Sequence, residues 1–334
     1  MQSLDCNDDP IVIGLVNNMP DAALRSTERQ FRELLSGASC NVAVRLRLFS
    51  IPALPRSENG RSHINDYYED ISELWSSRPD GLIVTGTEPL ASTLTDEPYW
   101  QALTKLVDWA QDHTISTIWS CLAAHAAVLH LDGIVRRPLS EKLVGVFDCV
   151  RAAEHAILFD LPPRWRVPHS RYNDLAEDTL SSRGYLVLSR SIETGVDMFA
   201  MERESLFLFL QGHLEYDPGA LYREYRRDAS RYLSGKSNSY PGLPRGYFDA
   251  DTAAAFATFR DQALRKRNIG LLSSFPVAED RLGHGWREPA VGIYSNWLSY
   301  LLEERSKRRC STKPLVLHEH AYGNADADSV LLLD

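Results

Sequence analysis

The chain has 334 residues, 44% of them hydrophobic, enough apolar material for one large core or two modest ones. Its 36 basic residues are outnumbered by 45 acidic ones and scattered among them, for a net charge of -9, which argues against nucleic acid as a partner. The longest apolar runs, such as LFLFL at 206–210, are too short to cross a bilayer, so no membrane span is expected. Five cysteines (Cys6, Cys40, Cys121, Cys149, Cys310), with no CxxC spacing and no signal peptide, point to a reducing cytoplasm.

The first element is PIVIGLV (10–16), a β-branched apolar run suited to a buried parallel strand. A helix is expected over 22–35, with Leu24, Phe31, Leu34 and Leu35 as its apolar stripe and Gly37 as its stop. An alternating strand (42–49), a polar connection (59–69), a strand (81–85) ending at Gly86, and a helix (99–109) follow. The strand 114–120 then runs directly into Cys121 and an Ala-rich helix (122–131). Strand and helix in alternation predict an α/β fold, a doubly wound, mostly parallel sheet with flanking helices.

Beyond Gly145 the rhythm turns to β segments at 184–189, 195–201 and 205–210, then a helix at 220–232. A Gly/Pro-rich bend (240–248) and helices at 252–264 and 295–302 complete the pattern. With no linker in view, one domain is expected over residues 1–309, with a core at about 10–235, a helical extension at about 236–305 and a loose tail at 310–334.

Cys121 sits where an apolar strand turns into a helix that opens with small residues. Such a turn lifts a side chain to the carboxyl edge of the sheet, where α/β folds place their ligands. The helix amino terminus favours a thiolate, and the Leu122 N–H is placed to hold an oxyanion. A buried structural cysteine is the competing reading. What shifts the balance is QGHLEYD (211–217), at the end of another apolar strand. If the backbone stays extended, His213 and Glu215 face the same way, so that Glu215 orients His213 and His213 reaches the thiol. Gly86 and Thr87, where the strand of GLIVTG (81–86) ends, stand ready to offer a second oxyanion N–H; a plain glycine turn explains them equally well.

These stretches, with NNMPDAALRSTERQF (17–31), GLIVTGTEPL (81–90), STIWSCLAAHAAVLHLDGI (116–134), EKLVGVF (141–147), PHSRYND (168–174) and QGHLEYDPGALYREYRRD (211–228), resemble the homoserine O-acyltransferases of methionine biosynthesis. That family uses succinyl or acetyl thioesters, and its fold is like class I glutamine amidotransferases. The resemblance runs from about residue 11 to 303. It implies that Cys121 is acylated by an acyl-CoA co-substrate, with His213 as general base and Glu215 as its partner. It also implies that Lys142 lies near the acceptor, with Glu224 and Arg227 on the ammonium and carboxylate of homoserine. No bound cofactor or metal is expected, and a homodimer is the usual assembly of such proteins. Glu224 and Arg227, three apart on one helix, otherwise read as a solvated ion pair. Ser170, beside His169, is read as a substrate-wall or structural residue rather than half of a hydrolase pair, since neighbours in an extended segment diverge.

The chain departs from the family pattern at DAALRSTERQF (21–31), which is two residues longer and lacks a lysine, and at TGTEPLAS (85–92). Acetyl-using members carry a glutamate near the latter site and succinyl-using ones a glycine; here Leu90 or Ala91 occupies it, with Glu88 upstream. Succinyl-CoA is the slightly favoured donor. The competing functions are acylation of another hydroxy amino acid such as serine, a glutaminase-like hydrolase, and a non-catalytic relative that binds an amino acid. The glutaminase reading is weakened by Trp119-Ser120-Cys121-Leu122-Ala123, which has no glycine on either side of the cysteine.

Overall fold

The computed structural model describes residues 9–39, 42–278 and 285–311. The expected tail beyond 311, with His318 and His320, and Cys6 and Cys40 lie outside the described residues.

Strand β1 (Ile11–Val16) leads to helix α1 (Asp21–Ala38), β2 (Val44–Phe49), α2 (Glu58–Tyr67), α3 (Ile71–Trp75) and β3 (Gly81–Val84). Next come α4 (Trp100–His113), β4 (Ser116–Ser120), α5 (Leu122–Asp132), β5 (Arg137–Arg151), β6 (Arg164–Asp174) and α6 (Glu177–Ser182). The chain continues through β7 (Leu186–Ser191), β8 (Gly195–Glu202), β9 (Leu206–Leu210), α7 (Ala220–Leu233), α8 (Ala250–Arg265) and α9 (Arg287–Ser311). Among the described residues, nine strands join one sheet in the order β2-β1-β3-β4-β9-β8-β7-β5-β6. From β2 to β9 neighbours run parallel; from β9 to β6 they run antiparallel.

The α/β class and the doubly wound parallel core follow the reading of the sequence. One face of the sheet packs on α1 and α9 through Phe31, Leu34, Ile293 and Trp297, and the other on α4 and α5 through Leu103, Leu106, Ala123 and Ala127. Burial on both faces explains why β1, β3, β4 and β9 read as continuous apolar runs. A third apolar cluster joins α7 and α8 to Val144 and Val146 of β5.

Three expectations need correction. The polar connection at 59–69 is largely the helix α2: Ser57 caps it by accepting from the Gly60 N–H, and its exposed face needs no apolar stripe. The segments EKLVGVF and PHSRYND belong to the long antiparallel pair β5–β6, not resolved as strands from the sequence because charged and apolar residues share them. The last helix spans 25 residues, well beyond 295–302. Among the described residues, no helix is long and apolar enough to cross a membrane.

Candidate active site

The parallel strands β3, β4 and β9 deliver their carboxyl ends to one cavity, lined among others by Gly86, Thr87, Cys121, Leu122, Lys142, Ser170, His213, Glu215, Glu224 and Arg227. The structure thus brings every candidate site residue of the sequence together.

Cys121 stands between β4 and α5 with φ 53° and ψ -114°, left-handed backbone that an L side chain adopts at a cost of order 1–3 kcal/mol. The conformation is imposed from both sides. The Cys121 N–H donates to the Leu210 carbonyl at 2.7 Å, continuing the β4–β9 ladder, while its own carbonyl accepts from the N–H groups of Ala124 and His125. As the first residue of α5, Leu122 has an N–H without an intrahelical acceptor, at the positive end of the helix dipole. Gly86 packs directly against it: a Cβ built on Gly86 lies 2.9 Å from both the Leu122 N and its Cβ. Only glycine keeps that approach open. Gly86→Ala is therefore expected to displace the Leu122 N–H and lower turnover by roughly 10²-fold, the order of losing one backbone donor at a reacting centre. A variant with undiminished turnover would show that this space is not used.

His213 and Glu215 meet as expected, but not on extended backbone. Strand β9 ends at Leu210, and residues 213–216 form a turn closed by the Tyr216 N–H on the His213 carbonyl. The turn folds Glu215 back so that its Oε1 lies 2.8 Å from His213 Nδ1. It is pinned to the sheet by the His213 N–H on the Pro168 carbonyl and the Gln211 N–H on the Asp197 carbonyl, each at 2.8 Å. Gly212 is obligatory here, because a Cβ would come within 2.4 Å of Val167 and 2.7 Å of Asp197. His213 is buried and stacks on Tyr216 with ring centroids 4.3 Å apart. Burial opposes a charged imidazole, yet the carboxylate of Glu215 and the neighbouring Cys121 outweigh it and raise His213 well above its ordinary value. A thiol, an imidazole and a carboxylate in sequence can supply a nucleophile, a proton carrier and its orienting group.

Opposite lies a polar network carried by α7. Glu224 accepts from Ser170 Oγ and the Tyr216 hydroxyl, and Lys142 Nζ lies 3.4 Å from Glu224 and 2.8 Å from Asp228. Burial pushes the Glu224 carboxyl up, but Lys142, Arg227 and the two hydroxyls hold it below its usual range. The alternative of a simple Glu224–Arg227 helix ion pair is not what forms: Arg227 binds its neighbour Asp228 at 2.9 Å, and Lys142 and the hydroxyls occupy Glu224. Arg231 forms a bidentate pair with Glu88, tying α7 to the turn after β3. Asp228 and Arg231 escaped the sequence reading, although 224, 227, 228 and 231 follow the helical period. Tyr216 and Arg136, also on the cavity wall, carried no sequence signal. In the unusual segment after Met19, Pro20 and Thr27 line the cavity, and Arg29 bonds Asp217 at 2.9 Å.

The remaining histidines separate cleanly. His125 binds Gln211 at 2.8 Å, and burial drops it to about 4, so it stays neutral. His130 pairs with Asp108 away from the cavity. His169 and Ser170 diverge as neighbours on β6, His169 turning into the interior toward Asp197. There the potential ligand atoms of Cys149, His169 and Asp197 lie within 4.8 Å of one another. Burial pushes the Cys149 thiol up, which favours the protonated, packed form over a ligand.

The model of the family described as homoserine O-succinyltransferase matches residues 2–308. The chain belongs to the homoserine O-succinyltransferase family. It is 50% identical over 296 residues to the homoserine O-succinyltransferase of Rhodopseudomonas palustris, covering 88% of this chain and 89% of that protein. The homoserine O-succinyltransferase of Bradyrhizobium japonicum is 47% identical, with 88% and 92% covered, and that of Thiothrix nivea 38%, with 89% and 84%. Among solved structures, a glutamine amido transferase from Methylobacillus flagellatus aligns over 87% of this chain and 94% of its own, at 15% identity and a TM-score of 0.47. Like its homoserine O-succinyltransferase relatives, the protein is an acyltransferase.

Proposed function

We propose that the protein transfers a succinyl group from succinyl-CoA to the hydroxyl of L-homoserine, a step in methionine biosynthesis, by a two-stage exchange through Cys121. The observation that carries this reading is the convergence on one cavity of Cys121, at the amino terminus of α5, and the hydrogen-bonded pair His213–Glu215, beside the partly buried carboxylate of Glu224.

In the first stage the Cys121 thiolate, formed by proton transfer to His213, attacks the thioester carbonyl. The tetrahedral oxyanion sits on the Leu122 N–H, with a second N–H from the Gly86–Thr87 turn. The C–S bond to CoA breaks, the departing sulfur takes the proton from His213, and the acyl group remains as a thioester on Cys121. In the second stage the homoserine hydroxyl gives its proton to His213 and attacks that thioester. The ester product leaves, and the proton returns to the Cys121 sulfur. Glu224 and Asp228 bind the ammonium of the acceptor and Arg227 its carboxylate, while Lys142 and Ser170 fix the Glu224 carboxylate.

Mixing enzyme with succinyl-CoA and no acceptor tests the scheme. The expected result is a rapid burst of one CoA per active site with a matching mass increase on Cys121. CoA release that begins only when homoserine is added would rule out an acyl-enzyme and favour direct transfer.

A further inference from the structure

Five cationic side chains line the cavity: Arg136, Lys142, Arg171, Arg227 and Arg231. Four are committed. Lys142 holds Glu224 and Asp228, Arg227 holds Asp228, and Arg231 holds Glu88. Arg171 spans the Asp174 carboxylate and the carbonyls of Asn173 and Thr194. The Arg136 guanidinium alone has no hydrogen-bond or ion-pair partner among the described residues.

The Glu97 carboxylate, whose charge acts on Arg136, does not fill that gap: it is buried and already accepts from the N–H groups of Leu90 and Ala91, at 2.9 to 3.1 Å. The Tyr99 hydroxyl is pushed upward by burial and stays neutral. Arg136 and Cys121 line the same cavity, and no hydrogen bond of the Lys142–Glu224–Asp228 network reaches Arg136. A half-buried guanidinium without a counter-charge is costly in the empty site and is suited to bidentate pairing with an anion.

We infer that Arg136 is the donor-selecting residue, pairing with the terminal carboxylate of a dicarboxylic acyl group while that group's thioester carbonyl lies at Cys121. The inference rests on the acyl-transfer reading above and adds to it the side chain that would read the acyl group. Arg136 touches only the far end of the acyl chain, so its contribution is selection rather than bond making.

The experiment compares single-turnover CoA release from succinyl-CoA and butyryl-CoA, acyl groups of equal carbon number of which only the first ends in a carboxylate. In the wild type succinyl-CoA is expected to acylate Cys121 far faster, and Arg136→Met is expected to reduce the succinyl-to-butyryl ratio by about 100-fold. Arg136→Lys, which keeps the charge and loses the planar fork, is expected to retain part of the preference. An Arg136→Met ratio equal to that of the wild type overturns the inference. So does an equal loss with both donors, which would place Arg136 on the phosphates common to them. A wild type that is acylated by butyryl-CoA but not by succinyl-CoA overturns it too, leaving acyl transfer through Cys121 intact. A wild type acylated by neither overturns the acyl-transfer reading itself.

Discussion

Cys121→Gly is expected to be more stable than Cys121→Ala, by about 1 kcal/mol, while neither variant turns over. Both lose the one thiol that lines the cavity among the described residues, and removal of a nucleophile of this kind costs roughly 10³-fold or more in kcat. They differ in backbone. Alanine must still occupy φ 53°, ψ -114°, whereas glycine enters that region freely. Relief of strain of order 1–3 kcal/mol is partly offset by the greater unfolded-state entropy of glycine, roughly 0.4–1 kcal/mol. For a chain of this size the balance corresponds to about 1–3 °C in Tm. Scanning calorimetry of the two variants measures it, and equal melting temperatures would mean that the elbow stores no strain.

The second large effect concerns Glu215. With Glu215→Gln, kcat is expected to fall by about 10³-fold, because His213 loses the charge that stabilises the imidazolium and the acceptor-only partner that fixes its tautomer. The pH dependence gives the sharper test. Burial alone would depress His213; Glu215 and Cys121 reverse that and raise it well above 6.5. Removing Glu215 thus lowers it, and the alkaline limb of the Cys121 acylation rate moves to lower pH. Linkage fixes the sign for stability as well. A cation with a raised folded-state value contributes fully below its unfolded value near 6.5, and that contribution is lost as pH rises through the folded value. Glu215→Gln is therefore expected to cost most stability at acidic pH and progressively less above neutrality. A rate profile that keeps its wild-type alkaline limb would remove Glu215 from this role.

The legible part of the protein was that in which a local pattern and a tertiary position coincide. The continuous apolar runs of β1, β3, β4 and β9 betray burial on both faces, and residues at the carboxyl ends of three of them, Gly86, Cys121 and His213, were singled out for that reason. The route between His213 and Glu215 was misjudged, because a two-residue spacing fits a strand and a tight turn alike. Gly212, whose Cβ would strike Val167 and Asp197, decides for the turn only once β6 is in place. Arg136 and Arg137 are indistinguishable on paper. The fold separates them by sending Arg137 to Asp174 at 2.9 Å and leaving Arg136 on the cavity wall. Partners drawn from a distant element, like the α7 carboxylates that Lys142 of β5 binds, leave no trace in sequence spacing.

Helix α9 bears on how the protein is made. Its Trp297 donates from Nε1 to the Ser116 hydroxyl of β4, at 2.9 Å, and together with Leu301 it lies over Gly81 of β3. Arg305 reaches Asp80 and the carbonyls of Asp9 and Pro10 at the foot of β1. The strands that carry Gly86 and Cys121 are thus sealed on one face by residues synthesised well after them. A ribosome-bound chain can pair β1 through β4 long before it can cover them. Until α9 emerges, that apolar face is open to chaperones or to other nascent chains, and maturation of the elbow waits on α9.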